Sequence, residues 1–384
     1  MPFYPNLIKS KLPKAGTTIF TVMSALASEQ KAINLSQGFP NFEASEELIS
    51  LVYQYMKKGF NQYAPMQGIL PLRERIAEKT ESLYGAQYNP DTEITITSGG
   101  TQAIYTAITA MVREGDEVVV LEPAYDSYVP AIELAGGVPV YVALKFPDYT
   151  IDWNAVKKVI SQRTKMILIN TPHNPSGTVW TQKDMQELEK ITSHSEITIV
   201  SDEVYEHILF DGLRHESVMR YPKLAERSFV VFSFSKTYHT TGWKMGYCLA
   251  PEKLMMEFRR VHQFVVFSSN TPIQYALADF MENKNYLELP QFYQEKRDYF
   301  LRLLAGSKFK FKPATGSYFQ LLDYSAITRE KDTDFAVRLT KQFKVASIPI
   351  SSFYHEPIDN KLLRFCFAKT NETLEMAAER LQKV

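Results

Sequence analysis

The sequence predicts an α/β protein: a large domain with a mostly parallel sheet between helices, joined to a smaller α+β domain. Three observations carry this. Between residues 93 and 250, seven short apolar runs rich in β-branched residues alternate with segments of helical period. The runs are nearly continuous rather than alternating apolar and polar, as in strands buried on both faces. From about residue 308 the alternation gives way to a mixed pattern, and 384 residues exceed one typical domain.

The elements follow in order. Residues 1–45 form an arm punctuated by proline and lysine, with a short helix at 20–30 and a turn at Gly38. A helix at 45–58 is indicated by Leu48, Leu51, Val52 and Tyr55 at helical spacing. After the loop 61–68 comes a helix at 71–84, with Pro71 at its start. Strands are expected at 93–97, 117–121, 138–143, 166–170, 197–201, 229–232 and 245–250, with helices between most of them. Residues 252–283 read as helix broken near 268–272, and 288–305 as another. Strands at 318–322, 345–348 and 363–368, a helix at 333–343 and a last helix from 373 complete the chain. The expected division is 1–45 as an arm joining the small domain, 46–285 as the large domain and 286–384 as the small one.

Composition narrows the function. Lys plus Arg and Asp plus Glu both number 43, so the net charge is zero, which argues against nucleic acid or an anionic membrane as main partner. The two cysteines, Cys248 and Cys366, lie in apolar runs and are expected as buried free thiols. No metal-ligand spacing is present. The N-terminus has no continuous apolar core, and no run of about 18 apolar residues occurs. A cytoplasmic setting is expected.

The stretch 228–250 carries the first chemical signal. Ser233, Ser235 and Lys236 follow one apolar run, and Lys244 precedes the next. A lysine at the mouth of buried strands is desolvated, which lowers its pKa and makes its amine nucleophilic toward aldehydes. Hydroxyls and a second lysine suit an anion. An imine-forming amine beside a phosphate site is what pyridoxal 5′-phosphate requires. For either lysine alone, a solvated loop position is the commoner explanation.

Other motifs also sit at strand ends. Gly100 and Thr101 open a helix in a Ser-Gly-Gly-Thr turn, where backbone amides can meet an anion; a tight turn explains this equally well. Tyr125 offers an aromatic face or a core cap. Asn174, in the turn Asn-Thr-Pro-His-Asn-Pro-Ser-Gly, is a donor and an acceptor, although turn chemistry alone accounts for the prolines. His173 is expected to serve local structure. Asp202 ends a strand and needs a partner or caps a helix. Arg364 lies in an apolar strand, where its rival role is a buried ion pair.

These motifs resemble, in order and over nearly the whole chain, those of the class I/II aminotransferases, fold type I pyridoxal-phosphate enzymes. The spellings LSQGFPNF, NQYAPMQG, NTPHNPSGTVW, SDEVYEH and SFSKTYHTTGWKMGY look most like the methionine and kynurenine/glutamine aminotransferase subgroup. The resemblance implies that Lys236 anchors the cofactor and moves the substrate proton. It implies that Gly100, Thr101, Ser233, Ser235 and Lys244 hold the phosphate and that Tyr125 stacks on the ring. Asn174 and Tyr205 would bond the phenolic oxygen, and Asp202 the ring nitrogen. Arg364, Asn174 and the Gly38 backbone would take the substrate carboxylate. Tyr63 would reach the phosphate of a neighbouring subunit, making the enzyme a homodimer with shared sites. Lys244 stands where many relatives carry arginine, keeping the charge but losing the fork.

The expected activity is transfer of the α-amino group of methionine, aromatic or similar neutral amino acids to a 2-oxo acid. Phe20, Tyr63, Tyr125 and Phe353 are candidates for the apolar side-chain pocket. Two rivals stand beside it. A cysteine-conjugate β-lyase would use the same residues, and acceptor-free release of pyruvate and ammonia would reveal it. A non-enzymatic sensor would carry a DNA-binding segment, and none is seen.

Overall fold

The computed structural model describes residues 1–384. Its strands are β1 (Ile33–Asn34), β2 (Ile94–Thr97), β3 (Glu117–Glu122), β4 (Val138–Ala143), β5 (Thr164–Asn170), β6 (Thr198–Asp202), β7 (Ser228–Ser233), β8 (Gly246–Leu249), β9 (Phe319–Asp323), β10 (Val345–Ala346), β11 (Ile348–Pro349) and β12 (Leu362–Cys366). Seven of them form the central sheet, in the order β2-β8-β7-β6-β5-β3-β4. Only β8 runs antiparallel to its neighbours. The apolar runs behave as their composition requires: β2, β3, β6, β7 and β8 are buried at every residue, while edge strand β4 is partly exposed. Successive side chains feed opposite cores. Val118 and Val120 join the smaller one, Val119 and Leu121 the larger.

The first helices are α1 (Ile19–Glu29), α2 (Glu46–Lys57), α3 (Leu70–Tyr84) and α4 (Gly99–Met111). Ser45 caps α2 through the Leu48 amide, and Pro71 sits in the first turn of α3. The helical stretch after residue 252 is interrupted as expected: Glu252–Val265 ends, and Thr271–Phe280 restarts on the Asn270 side-chain cap.

A three-stranded antiparallel sheet, β11-β12-β9, forms near the C-terminus. One expected strand divides. The run 345–348 is two short strands: β10 pairs in parallel with β1, and β11 pairs with β12. The chain crosses from one sheet to the other at Ser347, which periodicity within four apolar residues could not reveal. The β1–β10 pairing also ties the N-terminal arm to the C-terminal region.

All the parallel strands end at one edge of the central sheet, and the segment leading into β8 returns there. Ligand sites of open α/β sheets lie at that edge.

Candidate active site

That edge gathers the residues named from sequence. Lys236 stands on a single helical turn, Phe234–Thr237, directly after β7. Asp202 ends β6, Asn174 follows β5, Tyr125 follows β3, and Gly100 and Thr101 open α4 after β2. Together with Gly38, Tyr205, Ser233, Ser235 and Lys244 they line one cavity of about 250 Å³. A larger cleft, about 600 Å³, opens between residues 144–151 and 310–323 and contains none of these residues.

One end of the cavity suits an anion. No side chain caps α4, so its first-turn amides face the opening. β8 presses against that turn: a Cβ on Gly246 would come within 2.7 Å of the Phe232 carbonyl oxygen and 3.0 Å of the Gly100 nitrogen. Only glycine allows so close an approach. Lys244, in the left-handed region at φ 55°, runs alongside, its Nζ 3.7 Å from where a Cβ of Gly99 would sit. Ser233 and Ser235 complete the ring of donors.

The other end holds a buried carboxyl. Asp202 accepts hydrogen bonds from the Tyr128 hydroxyl and the Val204 amide. Burial pushes its pKa up to about 6, against those two bonds. Lys236 lies between the two ends. Its Nζ donates to the Tyr318 hydroxyl at 2.8 Å and to the Gly38 carbonyl at 3.1 Å. Burial brings its pKa down to about 8, and Lys244 and Arg364 add to the effect.

Beside the cavity, Arg364 on β12 is 1% exposed. It donates to the Asn174 side-chain oxygen at 2.7 Å and to the Ser36 carbonyl at 2.8 Å. Its Nε has no partner. No carboxylate lies within ion-pair distance, so the structure removes the rival reading of a buried ion pair. Its guanidinium instead lies 3.8 Å from the Phe319 ring centre and 5.2 Å from those of Phe20 and Phe353. Asn174 is itself fixed: its backbone amide donates to the Asn170 side-chain oxygen, and the Asn170 side-chain amide donates to the Asp202 backbone carbonyl.

Some residues lie elsewhere. Phe20 and Phe353 pack on each other and on Arg364 rather than lining the cavity. Tyr63 is 82% exposed, against Phe267 and outside the cavity. His173 is buried between the Ser176 hydroxyl and the Pro123 carbonyl, and burial lowers its pKa to about 4. Sequence reasoning missed Tyr128, Asn170, Ser36 and Tyr318. The first two sat at element boundaries beside recognised motifs. Ser36 lay inside the LSQGFPNF spelling with no role given to it, and Tyr318 read only as the start of a strand.

A fold and cavity of this kind define a class, and comparison with known proteins identifies it. The model of the family "Aminotransferase class I and II" matches residues 30–381, and the chain belongs to that family. It is a transaminase. It is 50% identical over 382 residues to the methionine aminotransferase of Escherichia coli (strain K12), covering 99% of each chain. It is 33% identical to the kynurenine–oxoglutarate transaminase of Dictyostelium discoideum, over 96% of this chain and 94% of the other. A solved Escherichia coli structure with methionine aminotransferase function superposes with a TM-score of 0.97, at 50% identity, over 99% of this chain and 100% of that one.

Proposed function

We propose that this transaminase uses pyridoxal 5′-phosphate and takes the amino group from methionine, aromatic and similar neutral amino acids. The observation that carries the reading is Arg364, a buried guanidinium with neutral partners only, beside a desolvated lysine. An amino acid supplies the missing carboxylate to the first and an acidic α-proton to the second.

The residues fit the cofactor. Free amides of α4, Ser233, Ser235 and Lys244 suit a phosphate ester, and the buried Asp202 suits a protonated ring nitrogen. Tyr125 suits the ring face, and Tyr205 and Asn174 the phenolic oxygen. When bound, the cofactor supplies an aldehyde that condenses with amines and a ring that takes up the electron pair left by the α-proton. Lys236 anchors it, then as the free amine removes the α-proton and returns it. Arg364, Asn174 and the Gly38 loop hold the substrate carboxylate. Tyr125 gives the substrate side chain an aromatic wall, with Phe20 packed against it and against Phe353, and no second arginine is offered for a dicarboxylate. The subgroup resemblance and the Escherichia coli relative support methionine as donor.

The same reading includes a homodimer. Its support is the exposed aromatic surface around Tyr63, with Phe264 86% and Phe267 48% exposed. We read residues 46–285 as the large domain and 286–384 as the small one, with 1–45 joined to the latter through β1–β10. No helix is long and apolar enough to cross a membrane, which is compatible with a cytoplasmic enzyme.

The test is the visible spectrum of the cofactor-loaded protein. Bleaching by L-methionine and recovery with a 2-oxo acid is expected. A band unmoved by methionine rejects that donor, and no band with added cofactor rejects the site. Pyruvate and ammonia from a cysteine conjugate, without acceptor, would favour the lyase.

A further inference from the structure

Lysine is a flexible anchor, and a proton-transfer group gains most when its reacting nitrogen is held in one orientation. We propose that Tyr318 is a positioning residue for Lys236: with the Gly38 carbonyl it holds one side of the amine, so that the opposite side is left for the proton the nitrogen takes and returns. The inference rests on Lys236 being the group that moves the α-proton.

Three hydrogen bonds close a ring. Nζ donates to the Tyr318 oxygen at 2.8 Å and to the Gly38 oxygen at 3.1 Å, and the Tyr318 hydroxyl donates to the same Gly38 oxygen. The order of donors follows. Tyr318 has one proton and gives it to Gly38, so it meets the lysine as an acceptor and leaves the amine's lone pair free. The two acceptors are bonded to each other and lie close together as seen from the nitrogen, so they occupy one side of the amine and leave the other side open. In the neutral amine the lone pair can take that open side, and in the ammonium an N–H takes it. The same frame therefore serves before and after proton uptake.

The frame is rigid. Tyr318 is fully buried, with the Tyr205 and Phe319 rings edge-on at 5.1 and 5.0 Å. A Cβ on Gly38 would come within 2.7 Å of Phe319 and 3.5 Å of Tyr318, so the Gly38 loop is packed against both. The loop from the N-terminal arm and β9 with its preceding turn thus meet on a lysine that belongs to the central sheet.

Tyr318→Phe keeps the ring and removes the oxygen. In the loaded enzyme the half-reaction with L-methionine is expected to slow about ten- to hundredfold. The primary isotope effect with Cα-deuterated L-methionine should rise, while KM stays within about twofold. In the cofactor-free protein, acylation of Lys236 by a small anhydride, followed by mass spectrometry across pH, should reach half its maximum at lower pH, because the ammonium has lost an acceptor. An unchanged isotope effect together with an unchanged acylation profile overturns the proposal, even if the rate falls. Lys236→Ala is the control for the underlying reading: turnover retained there would reject Lys236 itself, whereas an inactive Lys236→Ala beside a wild-type-like Tyr318→Phe would reject only the role of Tyr318.

Discussion

Two buried cations lie behind and beside the same sheet and are treated in opposite ways. Lys79, on α3, is ion-paired with Glu206 and bonded to the Tyr247 hydroxyl, and Glu206 also meets Tyr84 and His207. Burial alone would raise the Glu206 pKa, but His207 and Lys79 more than offset it and hold the carboxyl low; burial also lowers the Lys79 pKa, and there the Glu206 charge opposes it. That cluster is neutralised by the chain's own residues. Arg364 is as deeply buried and has only neutral oxygens for partners, while Lys236 is desolvated toward its neutral form. A charge completed within the chain serves structure. A charge left to be completed from outside costs stability and serves binding.

The comparison can be broken by exchanging the outcomes. Arg364→Leu should lower kcat/KM for L-methionine by about two to three orders of magnitude through loss of charge-assisted carboxylate binding, with a much smaller change in melting temperature. Arg364→Lys should recover only part of this, because the fork is lost. Lys79→Met should do the reverse. It leaves Glu206 buried without its ion-paired lysine, a loss of about 3–5 kcal/mol read by urea unfolding, with kcat of the folded fraction near wild type. Loss of activity without loss of stability in Lys79→Met would erase the distinction between the two clusters.

A smaller effect sharpens it. The Lys236 pKa falls from 10.5 to about 8 on folding. Between those values the unfolded chain binds the extra proton and the folded one does not, so cofactor-free stability should rise with pH across the window. Below about pH 8 the cost is fully present. Asp202 works in the other direction at lower pH: its pKa rises from 3.8 to about 6, so its contribution to stability falls as pH increases through that range. Lys236→Met should flatten the upper slope and slightly steepen the lower one, because the Lys236 charge opposes the rise of the Asp202 pKa, as followed by chemical denaturation at stepped pH.

Much of this molecule was legible before folding, because its signals are local. Runs such as Phe229–Phe232 are continuous since both faces of the strand are covered, and that marked them as strands of a buried central sheet. Lys236, Asp202, Asn174 and Thr101 stand just after strands, so the sheet's own geometry brought them to one edge. Tertiary structure decided what depends on distant partners. The run 345–348 divided because β1 and β12 offer it different sheets. Arg364 was visible as an odd charge in an apolar strand, but only the fold revealed that no carboxylate reaches it and that Asn174 and Ser36 do. Tyr318 carried no signal at all, since a tyrosine beginning a strand is ordinary until a loop 280 residues away meets its hydroxyl. Periodicity and turn chemistry act within a few residues, whereas the compensation of buried charge is settled across the whole chain.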